Sequence, residues 1–325
     1  MKKSTLILLI IAASLVVGGI LLCVVGLALS SLGVSGKISF ISLEGNNMVT
    51  NEYEISEAFS DLDVLVSTTN VELLPATDGV TKVVCREDPR EVHEVFVENG
   101  TLKLRMEEKP WYQKISLFSV GKRSVTIYLA ETELGALSLS TNTGDVRVAK
   151  ELSFECATVT TDTGAVAFAS TVQGMLSVKV DTGEVSLLGT HADEIEVKSS
   201  TGDQTYESVV CRTLSATSST GEQEYRSVDC RTLTASSSTG EQEYVSVTVA
   251  ETMTLRASTG DISIEGCDAA EVSVVTDTGD VEGYFLSEMV FYTETDTGKV
   301  RVPKSTSGGL CEIKTDTGDI EFSAP

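Results

Sequence analysis

The sequence has few of the residues that build transition-metal sites. It contains two histidines, His93 and His191, and none of its seven cysteines forms a CxxC pair. A histidine-rich metal site is therefore excluded, and a zinc or iron–sulfur site has almost no support. No cofactor is expected on this basis, and calcium is the one metal that the acidic residues leave open.

Basic residues are also scarce relative to acidic ones. Lysine and arginine number 24 against 48 aspartates and glutamates, so the formal net charge is −24 and the pI is near 4.4. Such a surface repels nucleic acid and anionic lipid head groups, which excludes nucleic acid as a partner. It favours cations or basic partners, or it simply keeps a repetitive β protein soluble.

One long uncharged hydrophobic run lies near the N-terminus. It is long enough to cross a bilayer, so we expect a transmembrane helix over residues 5–32. Lys2 and Lys3 favour a cytoplasmic stub at residues 1–4, which makes the chain a single-pass cell-membrane protein with its bulk outside. The alternative is a cleaved signal peptide with its site at Ala28-Leu29-Ser30.

The dipeptide Thr-Gly recurs ten times from about residue 137 onward. Successive glycines are 19 or 20 residues apart, and a fixed period of this length is typical of a solenoid. Glycine supplies a backbone conformation that a side chain would obstruct, so we expect a structural turn at each one. These turn residues are Gly144, Gly164, Gly183, Gly202, Gly221, Gly240, Gly260, Gly279, Gly298 and Gly318.

The residues around each glycine alternate between apolar and polar. Apolar residues stand seven and five positions before it, as at Leu176 and Val178, and two and four positions after it, as at Val185 and Leu187. Period-two alternation predicts half-buried strands, and the change of parity across the glycine predicts a turn. The fold class is therefore all-β: a single-stranded parallel β-solenoid (β-helix) with about 19–20 residues per rung over residues 137–325, preceded by one transmembrane helix.

Three consecutive rungs place glutamine and tyrosine at inward positions, first at Gln204 and Tyr206. Stacked amides can satisfy one another, so we expect a glutamine ladder inside the solenoid rather than a ligand slot. Cys211 and Cys230 occupy equivalent positions in two of these rungs. We expect them to be neighbours, either as packed free thiols or, outside the cell, as a disulfide.

Residues 53–136 keep a β pattern without the fixed period. We expect them to form an irregular N-terminal cap, because the terminal repeats of solenoids differ from the internal ones. Within this range Asn99-Gly100 predicts a hairpin turn. Residues 33–52, which contain several glycines and asparagines, are expected to form a stalk.

Aspartates flank many of the turn glycines. An acidic column follows the glycine, and carboxylates repeated from rung to rung repel one another unless they are solvated or bridged by cations. The aspartates two positions before the glycine are therefore calcium candidates. They are Asp162, Asp181, Asp277, Asp296 and Asp316. Aspartate beside a turn glycine is also ordinary turn chemistry, and serine replaces it in four rungs.

Several segments carry a resemblance to a known family. The opening DLDVLVSTTNVELLP, the segment SVTIYLAETELGALSLSTNTGDVRV and the repeated TDTGD rungs, after an N-terminal anchor, resemble the bacterial putative-adhesin family with β-strand repeats, a domain of unknown function. The resemblance covers roughly residues 55–325. It implies an envelope-exposed solenoid linked to adhesion or envelope-stress sensing, without an established catalytic residue. The glutamine and tyrosine rungs depart from the usual apolar interior.

The sequence does not predict an enzyme. Some parallel β-helices are polysaccharide lyases, but here the outward basic residues are scattered, and the acidic surface would repel uronate polymers. We expect a non-catalytic, adhesin-like binding or scaffolding surface in the bacterial cell envelope, engaging an unidentified envelope macromolecule or protein. The alternatives are an envelope-stress sensor working through a membrane partner, and a polysaccharide-active β-helix enzyme.

Overall fold

A computed structural model describes residues 48–89, 91–106 and 122–324. The expected stub and transmembrane helix, and the stalk up to residue 47, lie outside these residues. Within the described ranges, no helix combines the length and the apolar character that crossing a membrane requires.

The regular elements of the described residues are β-strands. Those before the repeats are β1 (Val49–Glu54), β2 (Asp61–Thr68), β3 (Asn70–Pro75), β4 (Lys82–Glu87), β5 (His93–Glu98), β6 (Thr101–Met106) and β7 (Ser124–Leu129). Those of the repeats are β8 (Glu133–Thr143), β9 (Val146–Val148), β10 (Ser153–Thr163), β11 (Val166–Phe168), β12 (Thr171–Thr182), β13 (Val185–Leu188), β14 (His191–Thr201), β15 (Gln204–Glu207), β16 (Val210–Thr220), β17 (Gln223–Arg226), β18 (Asp229–Thr239), β19 (Gln242–Val245), β20 (Thr248–Thr259), β21 (Ile262–Thr278), β22 (Val281–Phe285), β23 (Met289–Thr297), β24 (Val300–Arg301), β25 (Gly309–Thr317) and β26 (Ile320–Ser323).

The strands of the repeats form two parallel sheets that share one hydrophobic core. The long strand that ends at a Thr-Gly corner lies in sheet B, and the short strand that follows the corner lies in sheet A. The one exception among the described residues is β21, which follows the corner at Gly260 and runs through both sheets. Equivalent residues of neighbouring rungs stand side by side: Leu214 pairs with Leu233, and Gln223 pairs with Gln242. The predicted all-β parallel solenoid, with one rung per sequence period, is confirmed.

Burial follows the alternation that the sequence predicts. Leu176 and Val178 before the corner, and Val185 and Leu187 after it, are at most 1% exposed. Full burial of such a side chain contributes about 1.5–3 kcal/mol, and the rungs repeat this contribution along the stack. The two sheets therefore hold together mainly through these ladders of apolar side chains.

A third inward column, three positions before the glycine, carries hydroxyls that the alternation alone did not single out. The Thr161 hydroxyl donates to the carbonyl of Gly144, the corner glycine of the neighbouring rung, at 3.4 Å. Thr295 makes the same contact with Gly318 at 3.1 Å. These bonds satisfy carbonyl groups at the edge of the core, where a bare polar group would be costly.

The corner glycines stack directly on one another. Gly221 has a φ of 139°, and a Cβ built there would lie 2.2 Å from the carbonyl oxygen of Gly202. Both the backbone angle and the lack of space therefore exclude a side chain. A backbone hydrogen bond also joins each corner to the next rung. For example, the N–H of Gly221 donates to the carbonyl of Thr239 at 3.0 Å.

The order of the rungs departs from the order of the sequence at both ends. At the C-terminal end, β25 pairs with both β21 and β23, so the rung at Gly318 lies between those at Gly279 and Gly298. At the N-terminal end, β2 pairs with both β6 and β8. At the C-terminal end the outermost rung is thus the one at Gly298, whereas at the N-terminal end the antiparallel strands β5 and β4 lie beyond β6 and β7.

Part of the range expected as an irregular cap is a rung. The strands β2 and β3 stack in register on β8 and β9, with Thr69 at the place of the corner glycine. The hairpin predicted at Asn99-Gly100 is confirmed, since β5 and β6 pair antiparallel around it. The strands β1 and β4 add an antiparallel edge to sheet A, and β1 begins at Val49, inside the range expected as a stalk.

Candidate functional site

The outer face of sheet B carries a regular array of hydroxyl groups in the central rungs. These side chains stand six, four and two positions before the corner glycines, where the alternation directs them to solvent, and all are exposed or half-buried. We call this surface the hydroxyl grid. It consists of Ser215, Thr217, Ser219, Thr234, Ser236, Ser238, Thr254 and Ser258.

The parallel register fixes the spacing of the hydroxyl grid. Thr217 stands beside Ser236, and Thr234 stands beside Thr254, in neighbouring strands. Neighbouring parallel strands lie about 4.8 Å apart, and alternate residues along a strand are separated by about 7 Å. The grid is therefore a two-dimensional lattice of donors and acceptors with constant spacing, in which Arg256 beside Ser236 occupies the one position without a hydroxyl.

The outer face of sheet A has different chemistry in the same rungs. It is acidic, with Glu224 and Glu243 three positions after their glycines. Arg226 lies between them and forms ion pairs with both carboxylates, at 3.1 Å in the case of Glu243. Exposed ion pairs of this kind contribute at most about 1 kcal/mol each, so their main effect is to fix side chains over this face.

The acidic column that follows the glycines serves the corners themselves. The Oδ1 atom of Asp203 accepts the backbone N–H of Glu222 in the next rung at 2.9 Å, and Asp261 accepts that of Asp280 at 2.8 Å. Stacked acids also repel one another. The pKa of Glu241 is raised by partial burial and then by the neighbouring carboxylates of Glu222 and Asp261. The column is thus a structural element that carries an electrostatic cost.

The five predicted calcium candidates lie exposed on the outer edge of the corners. Asp162 and Asp181 are in neighbouring rungs, and the stack order places Asp316 between Asp277 and Asp296. Their carboxylates do not converge with a third ligand group in the described part of the chain. Calcium binding at these aspartates stays a prediction.

The interior of the glutamine and tyrosine rungs is filled. Gln223 donates to Gln204 at 2.8 Å, and Gln242 donates to Gln223 at 3.0 Å. The ring of Tyr225 stacks between those of Tyr206 and Tyr244, with centroid distances of 4.6 Å on both sides. All of these side chains are at most 1% exposed, so the predicted glutamine ladder is present and fills the interior. A ligand can therefore reach these rungs only at their outer faces.

The two cysteines expected to be neighbours are in register. Cys211 pairs with Cys230 across β16 and β18, and both are free thiols. A hydrogen bond with Cys230, together with burial, raises the pKa of the Cys211 thiol. A protonated thiol is a poor nucleophile, which disfavours attack by the Cys211 sulfur.

Comparison with known proteins gives one family match. The family model described as Toastrack DUF4097 matches residues 59–226, which is more than half of the chain. Among curated proteins, none matches.

Three solved structures are similar in fold at low sequence identity. A "putative adhesin" from Bacteroides fragilis NCTC 9343 is 17% identical, with a TM-score of 0.43 over 86% of this chain and 98% of that chain. A second, from Parabacteroides distasonis ATCC 8503, is 13% identical, with a TM-score of 0.47 over 85% and 98%. A "putative lipid binding protein" from the same organism is 18% identical, with a TM-score of 0.33 over 72% and 96%.

Proposed function

This chain belongs to the Toastrack DUF4097 family, and from its exposed hydroxyl grid we propose that it is a non-catalytic binding solenoid of the bacterial cell envelope. The grid would be the contact surface, and a repetitive, uncharged glycan would be the ligand class. The hydrophobic segment at residues 5–32 would anchor the solenoid in the cell membrane.

The single observation that carries this proposal is the constant spacing of the hydroxyl grid. A lattice with equal steps presents the same contact many times, so a polymer with repeated sugar units can gain affinity from many individually small contacts. Hydroxyls offer both donors and acceptors, which matches the hydroxyl groups of a glycan.

The charge distribution supports an uncharged ligand. The net charge of −24 repels anionic polymers, and the outer face of sheet A adds glutamates. The hydroxyl grid itself carries no acidic side chain, so a neutral polymer lies against it without paying for desolvation of a carboxylate.

The chemistry of the side chains that could act as nucleophiles or bases supports a non-catalytic role. Burial raises the pKa of Cys267 to about 11 and that of Cys311 to about 12, so both thiols are protonated near neutrality. Of the two histidines, His93 is buried against Glu87 and His191 is exposed in a different strand. Neither histidine is therefore both oriented by a second side chain and placed at the surface, where it could activate a nucleophile.

Co-sedimentation of the detergent-solubilised full chain with an insoluble, uncharged polysaccharide built of N-acetylglucosamine tests the proposal. The test variant changes Thr217, Thr234 and Ser236 of the grid to glutamate. A matched control changes three outward hydroxyls of sheet A, Ser186, Thr205 and Ser263, to glutamate. We expect the grid variant to bind about tenfold more weakly or less, and the control to bind as the wild type does.

Equal binding by the grid variant and the wild type would contradict the proposal. Equal loss in both variants would assign the interaction to net charge rather than to the grid. Far-ultraviolet circular dichroism of each variant checks that the solenoid is intact.

A further inference from the structure

A buried group of three metal-ligating side chains lies at the N-terminal end of the solenoid core. The inward face of β4 carries Cys85 and Glu87, and β5 begins with His93. Cys85 and Glu87 are 0% exposed, and His93 is 2% exposed. The group lies where the two sheets meet, because β4 belongs to sheet A and β5 to sheet B.

The potential ligand atoms of the three residues converge. The sulfur of Cys85, a carboxylate oxygen of Glu87 and a ring nitrogen of His93 all lie within 4.8 Å of one another. Over residues 48–89, 91–106 and 122–324 this is the one convergent group of its kind. The Nδ1 atom of His93 is 2.5 Å from Oε2 of Glu87, so the imidazole and the carboxylate are already in contact.

The hydrogen bonds of the group are incomplete. Oε2 of Glu87 accepts the backbone N–H of His93 at 2.8 Å, and Oε1 accepts the side-chain amide of Asn51 at 2.6 Å. The Nε2 atom of His93, in contrast, is buried without a hydrogen-bond partner among the described residues. If the ring is neutral, this nitrogen has an unused lone pair or proton, and if the ring is charged, it has an unaccepted proton.

The group also buries a carboxylate, and its ion-pair partner among the described residues is an imidazole alone. A buried carboxylate is costly when no positive charge lies beside it. That imidazole, of His93, contacts Glu87 through Nδ1, and its Nε2 atom has no hydrogen-bond partner among the described residues. A bound divalent cation would place a fixed positive charge beside the carboxylate.

The donor set selects the class of metal. Thiolate, imidazole and carboxylate together suit a borderline-soft divalent cation such as Zn²⁺, whereas Ca²⁺ takes oxygen ligands alone. Three protein ligands leave one position of a tetrahedral site for a non-protein ligand. Asn51, which donates to Glu87, would orient that carboxylate.

We propose that Cys85, Glu87 and His93 form a binding site for Zn²⁺ or a similar thiophilic divalent cation. On binding, the Cys85 thiol transfers its proton to solvent and the sulfur becomes a thiolate ligand. The metal fastens sheet A to sheet B at the N-terminal end of the core, next to β1, which supplies Asn51.

Metal binding by the reduced, metal-stripped full chain in detergent tests the site. Zn²⁺ is titrated in competition with a chromophoric chelator, using the wild type, Cys85→Ser and His93→Gln. The control is Cys311→Ser, since Cys311 is an equally buried free cysteine near the opposite end of the stack. We expect one equivalent to bind to the wild type and to the control, and about 100-fold weaker binding in the other two variants.

X-ray absorption of the zinc-loaded wild type keeps the test independent of how the variants fold. One sulfur at about 2.3 Å with nitrogen and oxygen ligands at about 2.0 Å is the expected shell. Two sulfurs would assign the metal to Cys211 and Cys230 and overturn the proposal. Failure of the folded wild type to bind one equivalent, or unchanged binding in both Cys85→Ser and His93→Gln, would overturn it as well.

Discussion

The side-chain amide of Gln242 donates to the side-chain oxygen of Gln223 inside the solenoid, 3.0 Å away. The two residues are 19 positions apart and occupy the same place in neighbouring rungs. Tyr244 adds a second bond by donating to Gln242 at 3.0 Å. A polar ladder is thus tolerated in the core because each member satisfies the next.

Gln223→Leu removes the central member of this ladder. It removes two buried hydrogen bonds, while the Gln242 amide keeps Ser237 and Arg256 and the Gln204 oxygen keeps Tyr206, so we expect the free energy of unfolding to fall by about 1–3 kcal/mol. Denaturant unfolding followed by circular dichroism measures the loss. Glu224→Gln, at the adjacent outward position, is the control and should change stability by less than about 0.5 kcal/mol. A Gln223→Leu variant as stable as the wild type would show that the ladder is not stabilising.

Gly221→Ala separates the effect of crowding from that of backbone angle. The new Cβ would lie 2.2 Å from the carbonyl oxygen of Gly202, so the stack must open and we expect a loss above about 2 kcal/mol. Gly189→Ala is the comparison, because Gly189 also has a positive φ, 62°, but no atom within 4 Å of the added carbon. It should cost only about 1 kcal/mol. Equal losses at the two sites would contradict direct stacking of the corners.

Ser227→Gly should stabilise the chain. Ser227 has a φ of 54°, a left-handed conformation that costs a side-chain-bearing residue about 1–2 kcal/mol, and glycine adopts it freely. We expect the thermal midpoint to rise, with a gain of about 0.5–1 kcal/mol after the extra chain entropy of glycine is subtracted. In Ser236→Gly, at an extended position of β18, the same replacement should lower the midpoint. A decrease in both variants would show that Ser227 is not strained.

Glu241→Gln tests the electrostatic cost of the acidic corner column. Because folding raises the pKa of Glu241, its ionisation destabilises the folded state, and stability falls as the pH rises through that pKa. The variant should therefore be more stable than the wild type at about pH 7 and equal to it below about pH 4. The gain should shrink in about 1 M salt, where the screening length is about 3 Å. If the gain in stability did not depend on pH or salt, it would not be due to the charge of Glu241.

The rungs of the Thr-Gly repeats were predictable from sequence because one rule holds in most periods. The local sequence decides each position: apolar residues point inward, polar residues point outward and glycine forms the corner. The burial of Leu176 and Val178 and the turn at Gly183 could therefore be predicted. The glutamine ladder followed from the same rule applied to Gln204 and its equivalents.

The two ends of the solenoid were less predictable, because their structure is not determined by the local sequence. The exchange of the rungs at Gly298 and Gly318 depends on how the last turns dock on the stack, and both rungs satisfy the same sequence pattern. The rung of β2 and β3 lacks the corner glycine and carries Thr69 instead. Periodicity therefore could not identify it.

The Cys85 group was missed because its residues are not spaced as a known metal motif. A signal was nevertheless present in β4, where Val83, Cys85 and Glu87 alternate as inward residues. An acid at a position that alternation assigns to the core needs a compensating charge or donor. Searching for that partner leads to His93.

The equivalence of the rungs is the claim on which the hydroxyl grid and its constant spacing depend. Deleting residues 222–240 removes one complete period of 19 residues, whereas deleting residues 222–231 removes about half a period. Circular dichroism and denaturant unfolding of the two deletions test the claim most directly. We expect the full-period deletion to keep its strand signal and unfold cooperatively at a slightly lower midpoint, and the half-period deletion to lose register and unfold. A full-period deletion that unfolds as the half-period deletion does would contradict the account.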